Sequence, residues 1–103
     1  MNVSDFKRMK AASQKIAMTT CYDYWSACIL NESEIDALLV GDSAAMVMHG
    51  HSSTISATTD VMVYHTASVA RGAHDKFIIS DLPFMSYCKG LIPTMETVDV
   101  LMK

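Results

Sequence analysis

At 103 residues, half of them hydrophobic and 18% charged, the chain has the composition of one small globular domain with a substantial core. A net charge of −3 argues against a nucleic-acid surface, which shows a basic face or stripe, and no apolar run reaches the length of a membrane span. Lys7, Arg8 and Lys10 are not followed by an apolar segment, so the start does not read as a secretory signal. Cys21, Cys28 and Cys88 are irregularly spaced without a CxxC pair, which excludes zinc-ribbon and thioredoxin motifs. Unpaired thiols without a secretory signal suit a reducing cytoplasm, with each thiol buried. The nine methionines are expected to fill gaps in the core.

Residues 1–14 form a leading segment or short helix, with Phe6 and Met9 as docking points, and 15–103 form the domain proper. Residues 15–20 read as the first strand. Asp23 is placed to cap a helix over 24–32, whose buried stripe is Trp25, Cys28 and Ile29. Ile35, Ala37, Leu38, Leu39 and Val40 then make a second strand that ends at Asp42. Its unbroken apolar run suits a strand of a parallel sheet, covered on both faces. Gly41 permits a tight turn. Asp42 and Ser43 follow at the carboxyl end of the strand, where α/β folds place ligands; the simpler reading is a turn and a helix cap.

Residues 44–58 are a long connection, and long loops in compact domains are often functional. His49 and His51 lie two apart within it and could share a metal, but a lone His-x-His lacks the third ligand of a zinc site. Thr58 or Thr59 caps a helix over 60–71, with Asp60 and Arg71 suited to its dipole and Gly72 as its C′ residue. His65 within that helix reads as a packed, hydrogen-bonded histidine. Residues 77–80 are a third strand running into Asp81, and Pro83 prevents its continuation. Thr94 starts a last helix with Met95, Val98, Leu101 and Met102 on one side, a pattern still running at Lys103.

Strand and helix alternate three times, which implies an α/β fold with a parallel sheet and right-handed crossovers. The pattern leaves open a doubly wound sheet or a barrel. Asp42 and Asp81 each follow an apolar strand at the same relative place. Two carboxylates at one sheet edge suit a hard cation such as Mg²⁺ sharing its remaining positions with substrate and water; the alternative is two unrelated cap residues.

At these residues the chain resembles a known family. Thr-Cys-Tyr-Asp-Tyr at 20–24, Leu-Val-Gly-Asp-Ser at 39–43, Gly-His-x-Ser-Thr at 50–54, Tyr-His-Thr at 64–66, Arg-Gly-Ala at 71–73 and Asp-Leu-Pro-Phe-Met-Ser-Tyr at 81–87 stand in the order and spacing of the ketopantoate hydroxymethyltransferases. The resemblance implies the N-terminal portion, about three strands, of a (β/α)₈ barrel from a homodecamer. The implied reaction moves a one-carbon unit from 5,10-methylenetetrahydrofolate to 3-methyl-2-oxobutanoate, in pantothenate and coenzyme A synthesis, through Mg²⁺-assisted enolate chemistry. It implies Asp42 and Asp81 as metal ligands bordering the 2-oxo acid, and Ser43 as a partner of the substrate carboxylate.

The resemblance places the family's Lys-x-Glu-Gly-Gly segment and its later general-base Glu beyond Lys103, so no catalytic base is expected within these 103 residues. Glu34, Ala45, Ser52 and Trp25 stand where the family usually has Gly, Gly, Asp and Pro. Glu34 in a left-handed conformation would cost about 1 kcal/mol, and Trp25 would forfeit a proline at the first helical position. A closed barrel takes about 250 residues. The chain alone is therefore expected to lack turnover. The alternative to an enzyme is a non-catalytic fragment that binds metal weakly or assembles with complementary chain. A flavodoxin-like domain is a third reading, disfavoured because Cys21-Tyr22-Asp23 replaces a glycine-rich phosphate loop.

Overall fold

A computed structural model describes residues 2–84, 86–88 and 90–102. The element order is α1 (Val3–Ala11), β1 (Met18–Thr20), α2 (Tyr24–Asn31), β2 (Ala37–Val40), α3 (Ala44–Val47), a 3₁₀ turn (Thr54–Ser56), α4 (Thr59–Gly72), β3 (Phe77–Ser80), a second 3₁₀ turn (Ser86–Cys88) and α5 (Leu91–Met102). The three strands form one open parallel sheet in the order β1-β2-β3. Thr20 pairs with Leu39, and Leu39 with Ile79. With β2 in the middle, the flavodoxin-like order, in which the first strand is internal, is ruled out.

The core sits between β2 and the helices. Leu38 and Val40 are fully buried, as are Ala27 on α2 and Met62 and Val69 on α4. On α4 the buried residues Met62, His65, Val69 and Gly72 recur three and four apart, one face of a helix. The alternate positions of the sheet are less covered: Ile79 on β3 is 38% exposed. At one end α1 sets Phe6 edge-on to Phe77, with ring centroids 4.9 Å apart.

Local chemistry explains most element boundaries. Asn2 and Asp5 form a capping box at the start of α1. The Asp23 carboxylate accepts from the Ser26 amide, and the Thr58 hydroxyl from the Val61 amide. β1 is shorter than the expected 15–20, because at Ala17 the chain is tied to Asp36: its amide donates to the Asp36 side chain at 2.9 Å. α5 begins at Leu91 rather than Thr94. Pro93 is tolerated in the first turn, where an amide has no helical acceptor. The Thr94 hydroxyl donates back to the Gly90 carbonyl instead of capping. The helix is described as far as Met102, and Lys103, to which the sequence pattern extends it, lies outside the described residues.

Several expected burials are reversed. Trp25 is 69% exposed and Ile29 is 59% exposed, whereas Ala27 is the buried residue of α2. The reason is close helix approach. Gly72 lies inside α4, not beyond its end, and a Cβ there would stand 2.7 Å from the Tyr24 carbonyl oxygen and 2.8 Å from the Ala27 Cβ. Small residues meet small residues, so the large ones point outward. On α5, Met95 and Met102 are exposed, while Leu101 packs against the core. Met62 is the one buried methionine among the described residues, with Met1 and Met85 lying outside them. Cys21 is buried, but Cys28 is half-buried and Cys88 exposed. The connection 44–58 is not plain loop, since it holds α3 and a 3₁₀ turn. Glu34 carries no left-handed strain: Ser13 is the non-glycine residue with positive φ among the described ones. Trp25 is the second residue of α2, so no first-position proline is displaced.

Candidate functional site

The last rungs of the β2–β3 ladder bring two aspartates to one edge. Val40 pairs with Ser80, and the Asp81 amide donates to the Val40 carbonyl at 3.0 Å. The chain then turns at Gly41, and the Asp42 amide donates to Asp81 Oδ2 at 3.1 Å. The structure thus brings Asp42 and Asp81 together past the carboxyl ends of adjacent strands. Gly41 is needed here for space: a Cβ would lie 3.3 Å from Ser43 Oγ and 3.5 Å from Asp81 Oδ2.

Ser43 sits at the start of α3 but makes no side-chain capping bond. The helix is launched by main-chain bonds instead, from Ala44 to Gly41 and from Met46 to Ser43. The Ser43 hydroxyl pairs with the Tyr22 hydroxyl at 2.6 Å. Asp42, Ser43, Asp81 and Tyr22 are all half-buried, so the edge is reachable from solvent.

Tyr22 was given no role by the sequence alone. Its signal was positional: it lies two residues past β1, as Asp42 lies two past β2. The turn that carries it is held from three directions. The Cys21 amide donates to the Leu39 carbonyl at 3.0 Å, Asp23 caps α2, and the Tyr22 carbonyl accepts from His65 Nδ1 at 2.7 Å. Burial pushes the Cys21 thiol up, against weaker opposition from the hydrogen bond to the Asp23 main chain.

His65 is buried, at 6% exposure, and both ring nitrogens are engaged, Nε2 lying 2.9 Å from His49 Nε2. His49 therefore turns to His65 and not to His51, which is exposed. Among the described residues no group of three His, Cys, Asp or Glu is arranged around a common metal position.

Asp42 and Asp81 are the two hard oxygen donors that a divalent cation of the Mg²⁺ type would use. Among the described residues no Lys or Arg side chain pairs with either, and one oxygen of Asp81 is occupied by the Asp42 amide. The two aspartates stand at one sheet edge, neither has a Lys or Arg partner among the described residues, and neither carboxylate accepts from a helix's first amides, which suits a cation ligand better than a cap. The site residues present are thus compatible with the ion.

The family model for ketopantoate hydroxymethyltransferase matches residues 1–103. The chain is 56% identical over its whole length to the 3-methyl-2-oxobutanoate hydroxymethyltransferase of Coxiella burnetii (strain RSA 493 / Nine Mile phase I). It is 56% identical over 101 residues to that of Bdellovibrio bacteriovorus and 50% identical over 103 residues to that of Legionella pneumophila (strain Paris). It spans 39% of the length of the first and third of these relatives and 38% of the second. The greater part of each relative therefore has no counterpart between Met1 and Lys103. Three parallel strands in sequential order with helices between them fit the opening portion of a (β/α)₈ barrel. By the match along its full length, and by the motifs that meet at one sheet edge, the chain belongs to the ketopantoate hydroxymethyltransferase family.

Proposed function

We propose that this chain supplies the metal- and 2-oxo acid-binding edge for transfer of a hydroxymethyl group from 5,10-methylenetetrahydrofolate to 3-methyl-2-oxobutanoate. The observation that carries the reading is the pair Asp42 and Asp81, side by side and without a partner cation among the described residues, next to the Ser43 hydroxyl. Asp42 and Asp81 would hold Mg²⁺. When bound, the ion polarises the 2-oxo group and so acidifies the C3 proton of the acid. The Asp42 amide, by binding Asp81 Oδ2, orients that carboxylate and leaves its other oxygen for the ion. Ser43 Oγ, set by Tyr22, is placed to donate to the substrate carboxylate while the Tyr22 hydroxyl donates to Ser43.

Mn²⁺, a paramagnetic stand-in for Mg²⁺, tests the site. Resonances of residues 41–43 and 80–82 are expected to broaden first on titration, and Asp42→Asn or Asp81→Asn to abolish the effect. Broadening centred elsewhere, or indifferent to both substitutions, sinks the assignment. Affinity for Mg²⁺ is expected to be weak, because two carboxylates are few for an ion that sheds water reluctantly.

A further inference from the structure

We infer that His65 is a positioning residue for Ser43, acting through Tyr22, and that His49 locks it in the required tautomer. The chain of contacts runs from His49 Nε2 to His65 Nε2 at 2.9 Å, from His65 Nδ1 to the Tyr22 carbonyl at 2.7 Å, and from the Tyr22 hydroxyl to Ser43 Oγ at 2.6 Å.

The hydrogen-bond chemistry leaves one assignment for the neutral rings. A carbonyl oxygen only accepts, so His65 Nδ1 must carry the proton. In the neutral imidazole its Nε2 is then bare and must accept. The group facing it is His49 Nε2, which must therefore be the donor, leaving His49 Nδ1 bare. A histidine's second nitrogen commonly sets which tautomer the first presents. Here the exposed ring of His49 performs that task for the buried ring of His65.

The consequence reaches the site because Tyr22 spans both ends. Its carbonyl is pinned to α4 and its hydroxyl meets Ser43. The Cys21 amide and the Asp23 carboxylate hold the main chain on either side, and the Cys21 thiol meets the Tyr22 and Asp23 main chain, but the Tyr22 carbonyl is held by His65. Removing the His65 donor frees the peptide that aims the phenol. Ser43 has no capping bond to fall back on, so its hydroxyl loses the partner that orients it.

The test reads the tautomers and the phenol directly, without added ligand. In ¹⁵N-edited imidazole spectra, His65 is expected to be protonated at Nδ1 and His49 at Nε2. The ¹³Cζ signal of Tyr22, assigned with Tyr22→Phe, reports the contact with Ser43. In His65→Leu it is expected to move to its position in Ser43→Ala. In His65→Asn, whose amide nitrogen replaces Nδ1 as donor, it is expected to stay near the wild-type position. Should His65→Leu not fold, His49→Ala at the exposed partner is expected to move the signal in the same direction, and His49→Gln, which keeps a donor, to leave it. An Nε2-protonated His65, or a Tyr22 signal unmoved in every folded donor-removing variant, overturns the inference.

A second arm rests on the reading of this edge as a 2-oxo acid site. With Mg²⁺ present, His65→Leu and Ser43→Ala are each expected to weaken binding of 3-methyl-2-oxobutanoate roughly tenfold, the scale of one hydrogen bond to a charged group. The double variant is expected to lose no more than the weaker single one. Multiplied losses overturn the coupling. A wild-type chain that binds no acid counts against the site reading alone, because the tyrosine signal still decides the role of His65.

Discussion

Single residues show how far local chemistry carries into this fold. Ser13 closes α1 in a left-handed conformation, φ 59°, with the Gln14 amide bonded to the Met9 carbonyl and the Ser13 amide to that of Lys10. That is the bonding of a Schellman motif, in which glycine is the favoured residue. Ser13→Gly is expected to raise stability by about 0.5–1 kcal/mol, read as a shift in urea midpoint at constant slope. An unchanged or lowered midpoint would show that glycine's greater freedom in the unfolded chain cancels the gain. The thiols differ as sharply as their surroundings. Burial raises the Cys21 thiol, so at any pH a smaller fraction is thiolate, whereas Cys88 is exposed. Alkylation by iodoacetamide at neutral pH, followed by peptide mass mapping, is expected to label Cys88 first. Cys21 should gain label only as pH rises or the chain unfolds.

Between elements, the contact of α2 with α4 turns on two small residues. Ala27 is fully buried, and a methyl group on Gly72 would meet both it and the α2 backbone, including the Cys28 amide nitrogen at 3.1 Å. Backbone does not yield as a side-chain tip does. Gly72→Ala is therefore expected to cost about 1–3 kcal/mol despite the better helix propensity of alanine. Thermal unfolding checks it, and a Tm at or above that of the parent chain would show that α4 can slide. Trp25 and Ile29 lie on the outward side of α2, so Trp25→Ser is expected to change stability by no more than about 0.5 kcal/mol.

For the whole molecule, the decisive matter is which groups reach the reacting carbon. Proton abstraction needs a base within hydrogen-bond reach. In the proposed reading Asp42 and Asp81 hold the metal, and Asp23 is engaged with the Ser26 amide at 3.1 Å. The 103 residues by themselves are thus expected to exchange no C3 proton of 3-methyl-2-oxobutanoate into D₂O above the buffer rate and to form no ketopantoate. Proton NMR of the acid with chain and Mg²⁺ decides it. Metal-dependent exchange abolished by Asp81→Asn would place the base among these residues rather than beyond Lys103.

Much of this was legible in the chain itself. The apolar run at Ala37–Val40, the caps at Asp23 and Thr58 and the motifs at 39–43 and 81–87 are local patterns, and local patterns are set by backbone sterics and nearest hydrogen bonds. They determined a parallel α/β fold, its family and the juxtaposition of Asp42 with Asp81. Tertiary packing decided the rest. Helical spacing marks two opposed faces on α2, and only the closeness of Gly72 selects the one bearing Ala27 over the one bearing Trp25 and Ile29. The partners of His65 come from 16 and 43 residues away along the chain. No pattern within a helix encodes such a partner, because hydrogen bonds of that span exist only once the strands have set the turns above them.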